Sequence, residues 1–219
     1  MKTGLLGTFT IVFCLGCERD TQLLSVVTTT GYKVQGTVTD RIGNPVVGVN
    51  VSVWYDYELV DRNPAPSKDF TVTDSTKTLS VVVRNRADQT IRTIFSGTLA
   101  PGNHTYDWDV KDAFGNNPPA STYTVHYLVD GVSQKSYSVT VSGTIVVLTG
   151  AQGQYTIPDD NLPIGFYPVP IYSFDKSVYF GNHRIVSSVR LAFTTTARAK
   201  EVVVSLSKDV VKEVDVTLD

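Results

Sequence analysis

The chain has 219 residues with 19 basic and 21 acidic side chains, a formal net charge of −2, so no basic excess points to nucleic acid or to an anionic membrane. Hydrophobic residues make up 42% and charged residues 18%, a globular composition rather than a disordered one. Sixteen Gly, ten Pro and eleven Tyr beside a single Met favour strands and turns, and argue against a helical bundle, a coiled coil or a polytopic membrane protein.

The N-terminus opens with the short basic segment Met1-Lys2-Thr3, followed by a mostly apolar stretch from Gly4 to Phe13. That stretch has the length of a signal-peptide core and is too short to span a bilayer. Cys14-Leu15-Gly16-Cys17 comes next and resembles a bacterial lipobox, although Cys14 stands where that motif usually has Leu. The resemblance implies a signal peptide over residues 1–16, lipidation at Cys17 and a tether over 17–30. An ordinary secretory signal cut nearby is the other reading. Cleavage before Cys17 would commit the one remaining cysteine to lipid and leave no thiol for a disulfide, a nucleophile or a thiolate metal site. Several acyl tails at about 0.8 kcal/mol per buried methylene make such anchoring stable. Glu18, rather than Asp, follows the cysteine, which by the same resemblance favours the outer membrane or cell surface.

From Gly31 onward short apolar runs alternate with turn signals, and no helical period lasts three turns. Strands are predicted over Tyr32–Thr39, Val49–Tyr55, Leu79–Arg84, Thr90–Phe95, His104–Trp108, Thr122–Leu128 and Lys135–Val141. Further strands are predicted over Ile145–Leu148, Gln154–Ile157, Phe166–Ile171, Ile185–Thr194, Glu201–Ser205 and Lys212–Leu218. Asn63-Pro64-Ala65-Pro66-Ser67 reads as a linker. Strands at this spacing predict β-sandwiches.

Gly36-Thr37-Val38-Thr39-Asp40, continuing through Gly43, Pro45 and Gly48 to Val49-Asn50-Val51, resembles the opening of a carboxypeptidase regulatory-like domain, G-x-V-x-D-x-x-G-x-P-x-x-G-V-x-V. In that turn Asp40 can cap the backbone, Gly43 can take a positive φ, and Pro45 can restart an extended strand. The second half of that family's pattern does not follow at once. It is matched at Thr149-Gly150-Ala151-Gln152-Gly153-Gln154-Tyr155-Thr156-Ile157 and at Leu162-Pro163-Ile164-Gly165-Phe166-Tyr167, with Gly150 in place of the usual Asp. The chain between is far longer than a hairpin loop. Within it, Gly102, His104, Trp108, Asp109, Asp112, Gly115 and Tyr123 resemble the FlgD-type Ig-like pattern G-x-H-x-x-x-W-D-G-x-D-x-x-G followed by G-x-Y. Val110 and Ser121 replace two of its glycines. The two resemblances imply an all-β protein of two β-sandwiches, Ig-like and prealbumin-like, one inserted into the other. A carboxypeptidase regulatory-like sandwich over 31–60 plus 141–219 would be joined through a 61–76 linker to a FlgD-type sandwich over 77–141.

Neither family implies catalysis, and no HExxH, GxSxG or P-loop pattern occurs. The chain is expected to be non-enzymatic and to need no cofactor. Trp54, Tyr55 and Tyr57, read as the end of a strand entering a loop, are candidates for partner contact or for wedging the modules together. Asp107, Asp109, Asp112 and Asn116 form an oxygen-rich turn that is a weak Ca²⁺ candidate, with turn capping as the alternative. Trp108 is expected in the core, with a sugar-stacking platform as the alternative. An intramolecular Lys–Asn or Lys–Asp isopeptide bond is not expected, because Val38 occupies the lysine position of related sandwiches. The expected function is a cell-envelope lipoprotein presenting sandwich modules to a protein partner or supporting a surface assembly. The alternative is a glycan-binding accessory lipoprotein. The expected partners are a membrane, through the lipid, and a protein or glycan, with no nucleic acid.

Overall fold

The computed structural model describes residues 31–219, so the lipidation site Cys17, the signal segment and the tether lie outside the described residues. The fold is nearly all β. In chain order the strands are β1 (Lys33–Thr39), β2 (Asn50–Asp61), β3 (Asp69–Val72), β4 (Leu79–Arg84), β5 (Thr90–Gly97), β6 (Gly102–Thr105), β7 (Ser121–Val129) and β8 (Val132–Val141). They continue as β9 (Ile145–Leu148), β10 (Gln154–Ile157), a 3-10 turn at Asp159–Asn161, β11 (Val169–Tyr172), β12 (Tyr179–Thr194), β13 (Ala199–Ser205), β14 (Val211–Glu213) and β15 (Val216–Thr217).

Two sandwiches result. In the first, β1 is antiparallel to β10 and parallel to β14 and β15. This sheet faces a second in the order β11-β12-β2-β9, with β13 also on β12. Alternating inward residues supply the core: Val34 and Val38 from β1, Val51 and Val53 from β2, Ile185, Val189, Leu191 and Phe193 from β12, all fully buried. The second sandwich lies between β2 and β9 in sequence. Its sheet β5-β4-β7-β8 covers the small β3-β6 pair. Val81, Val83, Val125 and Tyr127 form the centre of that separate core, with Trp108 and Tyr123 edge-on at 5.1 Å.

The two sheets of the first sandwich pack face to face. Tyr155, paired with Gly36 of β1, packs on Phe193, paired with Val51 of β2, at 5.3 Å. Further along, the Tyr55 hydroxyl reaches the carbonyl of Asn161, just past the end of β10.

The loops follow the sequence closely. Asp40 Oδ1 accepts the N–H groups of Ile42 and Asn44 at 3.0 and 2.8 Å, with Gly43 at φ 87°. Asp112 repeats this with Phe114 and Asn116, both at 2.8 Å, and Gly115 at φ 85°. The shared Asp-x-x-Gly-Asn pattern thus builds one turn in each sandwich, and in each it leaves the apolar third residue, Ile42 or Phe114, exposed. At Gly150 the missing carboxylate is replaced from the far side of the turn: Gln154 Oε1 accepts the Gln152 N–H at 2.9 Å.

Several local expectations need correction: β11 starts at Val169 rather than Phe166, and β12 at Tyr179 rather than Ile185. β2 does not end at Tyr55 but runs to Asp61, because the alternation Val51, Val53, Tyr55, Tyr57 continues and β12 pairs along it. The 61–76 segment contains β3, paired with β6, and is not all linker. β6 covers Gly102–Thr105, leaving Trp108 in the following loop. The terminal strand is broken into β14 and β15 at Val214-Asp215, where the chain bends across Gly36.

Candidate functional site: the junction between the sandwiches

Two strands of chain cross between the sandwiches, and each is pinned. The outgoing crossing follows β2. Asp61 Oδ1 accepts the Asn63 N–H and the Asn182 amide, both at 2.9 Å, and Oδ2 accepts the Tyr167 hydroxyl. The Tyr167 bond, then the other two, hold the Asp61 carboxyl below its ordinary range, and the same bond raises Tyr167. The Tyr179 hydroxyl lies 2.9 Å from the Asn63 carbonyl and 2.6 Å from Asn182 Oδ1, and its single hydrogen serves one of them at a time.

The return crossing follows β8. Gly143 donates to the Val53 carbonyl at 2.7 Å, and Ser142 Oγ accepts the Tyr55 N–H at 2.9 Å. The Trp54 ring covers Gly143 so closely that a Cβ there would lie 2.5 Å from Cζ2. The backbone at Gly143 also has φ +80°, so both space and conformation require glycine.

A third contact closes the junction. The 3-10 turn at Asp159–Asn161 meets the second sandwich with its backbone and side chains. Asn161 Nδ2 donates to the Ala120 carbonyl at 2.8 Å, and Ser121 Oγ donates to the Asp160 carbonyl. The Arg86 guanidinium donates to the Asp159 carbonyl and lies 3.1 Å from its carboxylate. Asp159 Oδ1 also accepts the Tyr32 N–H at 2.7 Å. Ala120 is fully buried and belongs to the core of the first sandwich.

The candidate contact residues divide between these roles. Tyr55 is 4% exposed and its hydroxyl donates to Asn161 at 3.0 Å, so it is a junction and core residue rather than a surface for a partner. Burial pushes its hydroxyl pKa up, and that of Tyr57 as well. Tyr57 is half-buried and lines a groove. Trp54 keeps 46% of its surface exposed while covering Gly143. All three lie within β2, not in a loop. Asp61, Arg86, Ala120, Asp159, Asn161 and Asn182 were not legible as junction residues. Their partners are remote in sequence, and only the Pro-rich segment after Asn63 marked a crossing.

The oxygen-rich turn is used internally. Asp107 pairs with Lys68. Asp109 accepts the Lys111 N–H at 3.1 Å and lies 3.2 Å from Arg92. Asp112 caps its turn, and the Asn116 N–H leads in lowering its pKa. The Asn116 amide nitrogen, 3.4 Å from Asp112 Oδ2, points toward that carboxylate. Calcium needs six to eight oxygens turned inward to one point, and no such group of carboxylates is gathered among the described residues. Trp108 is buried and donates its Nε1–H to the Lys111 carbonyl at 2.7 Å, the core placement expected for it.

A groove of about 560 Å³ runs beside the junction. It is lined by Ser136–Thr140 of β8 and Pro168–Tyr172, with Tyr57, Pro66 and Lys68.

No curated protein matches the chain. A solved structure, the Bacillus anthracis TIE protein, aligns over 87% of this chain and 51% of its own, at 8% identity and TM-score 0.19. The chain spans about half the length of that structure, and a likeness at this level does not establish a shared fold. Residues 62–127, which hold β3 to β6 and most of β7, match the family of FlgD Ig-like domains, a non-catalytic type of domain.

Proposed function

We propose that this chain is a non-enzymatic cell-envelope lipoprotein whose two joined β-sandwiches serve protein–protein interaction or brace a surface assembly. The observation that carries the reading is the junction. The Asp159–Asn161 turn of the first sandwich bonds to Arg86, Ala120 and Ser121 of the second, while the two crossings are pinned to the first sandwich at Asp61 and at Ser142-Gly143. A linker that only joins domains needs no such contact between turn and sandwich, and Ala120 of the inserted segment is buried in the core of the first sandwich. In this reading the first sandwich is carboxypeptidase regulatory-like, and the FlgD-type sandwich is carried as an insertion.

Replacing Tyr57 with Ala tests the wedge. Small-angle scattering should report a broader distribution of inter-sandwich distances, with a loss of stability of about 1–3 kcal/mol for a half-buried aromatic ring. An unchanged scattering profile with unchanged partner capture would remove Tyr57 from the site. Anchoring is tested at Cys17: mass spectrometry of the mature N-terminus is expected to find Cys17 carrying acyl mass. A different N-terminal residue, or an unmodified Cys17, would refute the lipoprotein assignment.

A second reading, glycan binding, is favoured by the half-exposed Trp54 indole on the outer face of β2, since exposed aromatic faces stack on sugar rings. A glycan array with the native chain and Trp54→Ala decides it: binding that survives the substitution rules out that ring as the platform.

A further inference from the structure

We propose that the first sandwich is a force-bearing clamp: tension entering at Gly31 and leaving past Leu218 is carried across the parallel pairing of β1 with β14 and β15, and the second sandwich is spared it. The inference deepens the bracing role proposed above and rests on that reading for the source of the load.

The direction of the strands decides how such a load acts. β1 runs parallel to β14 and β15, with Lys33 opposite Val211, Gln35 opposite Glu213, Val38 opposite Val216 and Thr39 opposite Thr217. The chain enters β1 at Lys33 and leaves β15 at Thr217, at opposite ends of the pairing. Pulling both ways therefore drags parallel strands past each other along their common axis. Every bond between them is loaded at once, and the strands part only when many fail together. Two strands pulled from the same end of a pairing lose their bonds one at a time.

The bonds that share the load lie all along the pairing. The Asp209 N–H donates to the Gly31 carbonyl at 2.7 Å, and the Asp209 carboxylate accepts the Gly31 N–H at 2.9 Å. Val214 donates to the Gln35 carbonyl and Leu218 to the Thr39 carbonyl, both at 2.8 Å. Between them Asp215 Oδ1 accepts the N–H and the hydroxyl of Thr37 at 2.8 Å, and bonds to an ionised acceptor are stronger than neutral ones. Neighbouring strands grip the terminal segment as well. The Tyr155 hydroxyl donates to the Val214 carbonyl at 2.7 Å, Lys200 Nζ to the Thr217 carbonyl at 3.0 Å and the Arg198 guanidinium to the Leu218 carbonyl at 3.3 Å. Val214, Val216 and Leu218 are buried, so sliding also drags three side chains through a close-packed core.

The second sandwich lies outside this path. Residues 62–141 leave the first sandwich after Asp61 and return at Ser142-Gly143, and both crossings are pinned to the first sandwich. While β1 holds β14 and β15, tension passes between strands of the first sandwich and does not run along 62–141. The insertion is loaded only after the first sandwich has opened. Connectivity sets that order, not the relative stability of the two cores.

The test is single-molecule force spectroscopy on the full chain, produced without export and carrying a handle at each end. Opening is expected in a fixed order: residues 31–61 and 142–218 are released first and 62–141 second, each step lengthening the chain by roughly 3.3–3.6 Å per residue. A second geometry changes the direction of pull alone. One handle sits on an azide-bearing residue in place of the exposed Ile42, in the turn that follows β1, and the other at the C-terminus. Both then pull from the same end of the pairing, and the terminal segment should peel away at clearly lower force. Asp215→Ala removes both Thr37 bonds at an exposed position. At constant force it should speed the first opening about tenfold in the end-to-end geometry, and far less in the Ile42 geometry. The proposal is overturned if 62–141 opens first, if the two geometries give the same force, or if Asp215→Ala leaves the end-to-end opening rate unchanged. The comparison of geometries keeps the native pairing, so it decides the matter even if Asp215→Ala fails to fold. These outcomes are separate from failure of the bracing reading, which shows in the scattering of Tyr57→Ala and in the N-terminal mass.

Discussion

Replacing Tyr127 with Ala should destabilise the second sandwich by about 3–5 kcal/mol, the cost of removing a large aromatic from a packed core. Tyr127 is fully buried and lies at the centre of the aromatic cluster. Its ring stacks on Phe70 of β3 at 5.1 Å and 15°, with Tyr106 and Tyr137 both at 6.4 Å. Its hydroxyl donates to the Lys68 carbonyl at 2.6 Å and accepts the Tyr106 N–H at 3.2 Å. One side chain thus joins β7 to the outgoing crossing and to the small β3-β6 pair. Tyr127→Phe keeps the ring and removes those two bonds, and should cost about 1–2 kcal/mol. Denaturant unfolding followed by hydrogen exchange gives both numbers and locates them. Because the two cores are separate clusters, exchange from Val81, Val83 and Val125 should rise well before exchange from Val51, Leu191 and Phe193. A loss under about 1 kcal/mol for the alanine variant would contradict the packing described for this core.

Local features were the most legible in the sequence, because local rules decide them. Leu79–Arg84, Ile145–Leu148 and Gln154–Ile157 fall where the alternation and the flanking turn residues place them. The Asp40 and Asp112 turns follow from the same short-range chemistry of carboxylate and glycine. Errors concentrate where a distant segment decides. β2 continues through Tyr57 to Asp61 because β12 is present to pair with it, and β3 exists because β6 covers it. The candidate aromatics on β2 lie beside the return crossing from the inserted segment. Their roles were not legible, because which ring is buried depends on the return crossing at Ser142-Gly143 and on the Asp159–Asn161 turn, both far along the chain. The position of β8 was also hidden: nothing in Ser136-Tyr137-Ser138-Val139-Thr140 says that, among the described residues, β8 is an edge strand.

The bend of the terminal strand leads to the second large effect, at Gly36. A Cβ built there would fall 2.0 Å from the Val214 carbonyl oxygen and 2.6 Å from its carbon. Both are backbone atoms, so no rotamer change relieves the overlap, and the terminal segment itself must move. That segment is held to β1 all along its length. Val214 donates to the Gln35 carbonyl at 2.8 Å, Asp215 Oδ1 accepts both the N–H and the hydroxyl of Thr37 at 2.8 Å, and Leu218 donates to the Thr39 carbonyl at 2.8 Å. Those bonds hold Val214, Val216 and Leu218 in the core of the first sandwich. Displacing the strand gives up the hydrogen bonds and draws three apolar side chains toward water, so Gly36→Ala should cost about 3 kcal/mol or more. Gly48→Ala supplies the contrast. Gly48 has φ +71° but nothing within 4 Å of its Cβ position, so the cost there is only the left-handed backbone, about 1–2 kcal/mol. Chemical denaturation of the two variants should rank Gly36→Ala as clearly the worse, with exchange of the Val214 and Leu218 amides rising in that variant alone. Equal losses at the two glycines would mean that the terminal strand does not press on β1 at this point.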